Sequence, residues 1–128
     1  MEIIDQRQSG NIKFFLSNED ILYTECLPDT IMTLEDGKES TRVSAEMVKY
    51  KPLPLLCDLT NVIRMSHECR KHFAGQEHAE TFSKAALIVS NPISRLIGNF
   101  FLGLNKPLKP TRLFTNKEAA LSWLKESY

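Results

Sequence analysis

The chain has 128 residues, 42% hydrophobic and 25% charged, the make-up of one globular domain with room for a proper core. Sixteen Lys plus Arg balance sixteen Asp plus Glu, so it lacks the basic excess of a nucleic-acid binder. The start, MEIIDQRQSG, has early acidic residues and no apolar h-region, which excludes a secretory signal, and no apolar run reaches the roughly eighteen residues of a membrane-spanning helix.

Residues 11–16 (NIKFFL) and 21–27 (ILYTECL) are rich in aromatic and β-branched residues and flank the turn-forming Ser17-Asn18-Glu19-Asp20, so they predict a β-hairpin. Thr33-Leu34-Glu35-Asp36 has capping-box spacing and opens a helix to about Tyr50, in spite of Gly37. Residues 53–59 (LPLLCDL) form a near-continuous apolar run, as in a strand covered on both faces. Ser66 reads as the N-cap of a helix that runs to about Phe82. Residues 85–89 (AALIV) predict a second buried strand.

The most apolar stretch follows. Asn91 can cap a helix and Pro92 falls at its first position, where the missing N–H does no harm. Ile93, Leu96, Ile97, Phe100, Phe101 and Leu104 then form one helical stripe, with Arg95 as its only charge, so a core helix on a sheet is expected rather than a membrane-surface helix. After the break at residues 106–110 (KPLKP), residues 111–114 (TRLF) form a short strand. Thr115-Asn116-Lys117-Glu118 is a Thr-x-x-Glu capping box for a last helix that packs through Ala120, Leu121, Trp123 and Leu124. The order β-β-α-β-α-β-α-β-α predicts a mostly parallel sheet with right-handed crossovers.

Candidate chemistry is sparse. Cys26, Cys57 and Cys69 form an odd set without a C-x-x-C pair, which fits thiols in a reducing cytoplasm serving as small hydrophobes. His67 and His72, five apart on a helix, diverge, and Cys69 with His72 makes two ligands at most, so no metal site is expected. There is no G-x-S-x-G, P-loop or G-x-G-x-x-G, and neither an enzyme nor a cofactor is indicated. Lys106, Lys109 and Arg112 cluster around two prolines and could meet an acidic partner or headgroup, although a solvated loop is the simpler reading.

Residues 87–107 (LIVSNPISRLIGNFFLGLNKP) and 112–124 (RLFTNKEAALSWL), with the hairpin and the β-α alternation, resemble STAS-like domains, the sulfate-transporter and anti-sigma-factor-antagonist fold, and most of all small stand-alone bacterial members. The resemblance spans one domain, residues 1–128. It implies an α/β fold in which a β-hairpin precedes βα units, a mixed sheet of four or five strands carrying four helices largely on one face. In anti-sigma-factor antagonists a D-L-S-like strand end leads to D-S-S-G, whose second serine is phosphorylated. Asp58-Leu59-Thr60 matches the strand end; counted on without gaps, Ser66, His67, Glu68 and Cys69 occupy the D-S-S-G positions, so the acceptor serine is replaced by Glu68. A shifted register would make Ser66 the acceptor, but N-capping is its simpler role. The resemblance thus implies a cytoplasmic, non-enzymatic regulatory module that binds another protein through Asp58, Thr60, Arg64, Ser66, His67 and Glu68, without the usual phosphoserine switch, and leaves a homodimer open. Kinship with lipid-carrying CRAL-TRIO domains offers the alternative of an apolar-ligand carrier, disfavoured by zero net charge and by the dense packing expected around Phe100 and Phe101.

Overall fold

The first strand lies where the sequence shows none. In the computed structural model, which describes residues 2–49, 51–103 and 108–126, β1 (Ile3–Ser9) turns through Gly10-Asn11 into β2 (Ile12–Ser17) and pairs with it antiparallel. Gly10 takes φ +57° in this two-residue turn, which costs glycine nothing. β3 (Leu22–Cys26) completes the predicted hairpin with β2. A short β4 (Thr30–Met32) leads to α1 (Leu34–Val48). Its capping box forms as predicted: the Asp36 N–H donates to the Thr33 hydroxyl, and the Thr33 N–H to the Asp36 carboxylate.

β5 (Leu53–Asp58) and β6 (Val62–Met65) follow, then α2 (His67–Phe73) and α3 (Gln76–Ala79). The single helix expected to Phe82 is therefore two short ones. Gly75 interrupts it as the N-cap of α3, and Phe82 instead opens β7 (Phe82–Ile88) as a buried strand residue. α4 (Pro92–Leu102), β8 (Thr111–Phe114) and α5 (Lys117–Lys125) complete the chain. The cap of α5 sits one residue later than predicted: Asn116, not Thr115, accepts from the Ala119 N–H at 3.0 Å.

Six strands form one mixed sheet in the order β1-β2-β3-β5-β7-β8, with the first two pairings antiparallel and the rest parallel; β4 and β6 form a separate parallel pair. The sheet exceeds the four or five strands expected because β1, exposed on both sides, lacks the apolar alternation that marks a half-buried strand. Alternation along β5 divides the core. Leu55 faces the cluster containing Phe14, Met47, Phe82 and Phe101, under α1, α2 and α4. Leu56 faces Ala86, Ala120 and Leu124, under α5. Most helices thus share one face, and a fifth, α5, covers the other. No helix among the described residues is long and apolar enough to cross a membrane.

Candidate functional site

The C-terminal ends of the parallel strands carry a compact polar network. Asp58 closes β5, and its Oδ1 accepts from the Thr60 N–H at 2.9 Å, holding the tight turn into β6. The Thr60 hydroxyl accepts from the Ser90 hydroxyl, and the Thr60 carbonyl accepts from the Asn91 side-chain amide, both at 2.9 Å. Asn91 also caps α4 as predicted, accepting from the Ser94 N–H at 2.8 Å. Asp58 and Thr60 are therefore brought together with Ser90 and Asn91. The sequence marks Asn91 as a helix start but gives no sign that it also ties down the turn after β5.

Ser66 N-caps α2, its hydroxyl accepting from the Cys69 N–H at 3.1 Å. His67 and Glu68 are exposed on the first turn. Arg64 is exposed on β6, opposite Ile31 of β4. Exposed apolar residues lie on the same neighbouring elements: Ile31 and Ile63 on the paired strands, and Ile93 and Leu96 on α4, which packs beside β6.

These α4 residues correct the expected core stripe. The buried face of α4 is Ser94, Ile97, Gly98 and Phe101, about a quarter turn from the centre of the apolar stripe. Gly98 suits this close seat: a Cβ there would lie 2.9 Å from Leu113 Cδ2 and 3.0 Å from Val89 Cγ1, so a larger residue would make those side chains shift. Ile93 (45%) and Leu96 (60%) are left in solvent. Phe100 is half-buried rather than buried, with the Arg70 guanidinium 4.1 Å above its ring. Leu104 lies outside the described residues.

Two residues of the basic loop are described. The Lys109 ammonium donates to the Ala79 and Phe82 carbonyls, both at 2.8 Å, and Arg112 lies over the rings of Phe114 and Trp123. Lys106 lies outside the described residues. A different cluster forms inside, unread in the sequence: His72 Nε2 and His78 Nδ1 lie 2.7 and 2.9 Å from the Thr41 hydroxyl oxygen. Burial, aided by His72, lowers the pKa of His78 to about 3. Burial pushes the thiols of Cys26 and Cys69 up to about 12 and that of Cys57 to about 11, so they stay protonated and unreactive at neutral pH. No group of three or more potential metal ligands gathers among the described residues. A cavity of about 80 Å³ lies between the sheet and the helices, lined by Met32, Ser44, Leu55, Ala85 and Phe101 among others.

Residues 14–128 match the model of a family described as a domain of unknown function, DUF7793. The chain belongs to that family. No curated protein matches it. Among solved structures, it is similar to an uncharacterized DUF3478-family protein with a SpoIIAA-like fold from Shewanella loihica PV-4. The TM-score is 0.57 at 17% identity, over 96% of this chain and 94% of that one. A protein of unknown function from Arthrobacter sp. FB24 matches at 22% identity over 89% and 99% of the two chains, with a TM-score of 0.32. The first likeness gives this DUF7793 domain a SpoIIAA-like, and so STAS-like, fold. In it, Glu68 is exposed on the first turn of α2, and the nearby Ser66 hydroxyl is engaged as a helix cap.

Proposed function

We propose that this DUF7793 domain is a non-enzymatic protein-interaction module. Its partner seats on the face made by β4, β6 and the outer side of α4, with Arg64, Ser66, His67 and Glu68 along the rim. The observation that carries this reading is the grouping of Ile31, Ile63, Ile93 and Leu96, exposed on three neighbouring elements. Single exposed apolar residues are ordinary, but a group rimmed by polar ones is the usual mark of a contact surface. The network of Asp58, Thr60, Ser90 and Asn91 supports the reading by fixing the turn that carries β6 and the start of α4, so the face is preorganised. The raised thiols and the buried, neutral His78 offer no poised nucleophile or base.

The cavity favours the second reading, a carrier of a small apolar ligand. At about 80 Å³ it falls well short of the roughly 300–1,000 Å³ of ordinary ligand pockets, so it supports at most a very small guest and not an acyl chain. A protein surface is preferred to a membrane because formal net charge is zero and Glu68 stands on the rim.

Affinity purification with the wild-type chain and with an Ile63→Asp/Leu96→Asp double variant tests this. We expect a stoichiometric partner on the wild type, lost from the variant, while the melting temperature stays within a few degrees. A partner retained by the variant would overturn the surface. Stoichiometric lipid in an organic extract, or sedimentation with anionic vesicles, would replace the protein partner with a lipid one.

A further inference from the structure

The outer edge of β1 is complementary to itself. On β2, the Ser17 N–H donates to the Ile21 carbonyl and the Asn11 carbonyl just before β2 accepts from the Leu27 N–H, so the backbone groups of odd-numbered residues there face β3. Those of Ile12, Phe14 and Leu16 therefore face β1, where they oppose Ser9, Arg7 and Asp5. It follows that Gln6 and Gln8 direct their N–H and C=O groups off the edge of the sheet. β1 ends the strand order, and no strand among the described residues pairs with that edge.

Natural sheets usually blunt such edges with charged side chains, prolines, brevity or bulges, and the two charges here, Asp5 and Arg7, are of opposite sign. β1 has seven residues and no proline, and its one irregularity lies between Ile3 and Asp5, which leaves residues 5–9 regular. Ile3 and Ile4 are exposed.

We propose that two copies of the chain pair antiparallel through β1, with the two-fold axis at Gln6, to make one continuous sheet. In this register the outward groups of Gln6 bond to those of the partner's Gln6, and Gln8 lies against the partner's Ile4. Asp5 then stands opposite the partner's Arg7, and Arg7 opposite the partner's Asp5. These are the closer, non-hydrogen-bonded positions of an antiparallel ladder, with Cα atoms about 4.5 Å apart, where opposite charges reinforce pairing. The charge pattern singles out a second copy as the occupant, because it is self-complementary about that axis. An axis at Arg7 would bond Gln6 to the partner's Gln8 but set the two Arg7 side chains directly against each other, and one at Gln8 would set Arg7 against Ser9 and leave Asp5 without a regular partner.

Within one copy Arg7 already lies 3.2 Å from Asp5 and 3.6 Å from Glu46, so the paired charges share the α1 side of the sheet. The interface is isologous and small, hence concentration-dependent. It also leaves the α4 face free, since α4 packs against β8 at the opposite end of the strand order.

Sedimentation velocity across a hundredfold concentration range tests the pairing. We expect a monomer–dimer shift for the wild type and a monomer for Gln6→Pro, which removes an outward N–H that the fold does not use. Asp5→Arg alone and Arg7→Asp alone each place like charges across the axis and should be monomers, while an equimolar mixture of the two should form a heterodimer. Circular dichroism melts check that every variant is folded. A wild-type monomer throughout the range, a dimer indifferent to Gln6→Pro, or a mixture that stays monomeric would overturn the proposal. So would capture of a strand from another protein by a chain that never self-associates.

Discussion

The hydroxyl of Thr41 serves three partners at once. It donates to the Gly37 carbonyl at 3.1 Å, and its two lone pairs are filled when His72 Nε2–H and His78 Nδ1–H both donate to it. This arrangement suits a neutral His78, which burial enforces with a pKa near 3 against an ordinary value of 6.5. In the unfolded chain His78 takes up a proton near pH 6.5, whereas in the fold it does so only near pH 3. Between those values the unfolded state binds more protons, so this group's contribution to stability is complete above about pH 6.5 and is lost as pH falls towards 3. Its share of the slope approaches about 1.4 kcal/mol per pH unit. Urea unfolding at several pH values across that window should show the decline. His78→Asn, which keeps a donor for Thr41, should flatten it, and an unchanged slope in that variant would refute the assignment.

At the scale of one element, α4 separates composition from burial. Phe101→Ala should cost about 3–5 kcal/mol in chemical denaturation, because Phe101 is 6% exposed on the sheet-facing side. Leu96→Ala, on the equally apolar outer side, should change stability by no more than about 0.5 kcal/mol. Equal costs at the two positions would return the helix to the orientation that its apolar stripe suggests. The starts of α1, α2 and α4 were legible because capping is local chemistry, carried by Thr33, Ser66 and Asn91 within three residues of the groups they satisfy. The rotation of α4 was not, since it depends on Leu113 and Val89 meeting Gly98 from other elements; the Ser94–Gly98 pair of small residues was the one available hint of close approach. β1 leaves no mark in the sequence because IIDQRQS has no face to bury, and the meeting of His72 with His78 depends on the break at Gly75. In the candidate site, Asp58, Thr60 and Ser66 could be picked out from a motif, but the neighbouring Ile31 and Ile63 reach α4 only through the small β4–β6 pair, which no local pattern announces.

Across the whole molecule, one sheet separates two unequal cores. The smaller is closed by α5, which Lys84 on β7 fastens by donating to the Trp123 and Glu126 carbonyls at the end of that helix. The larger contains the cavity of about 80 Å³, and this has a mechanical consequence. Internal void is volume that unfolding eliminates, so hydrostatic pressure favours the unfolded state in proportion to it. Ala85 on β7 lines that space, and Ala85→Val should raise the pressure at which the fluorescence of Trp123, the sole tryptophan, reports half-unfolding. A lower or unchanged midpoint would mean that the space is not what compression works on. Under increasing pressure the amide signals of α1 and α2 should broaden before those of α5, so that compression loosens the molecule from one side of its sheet to the other.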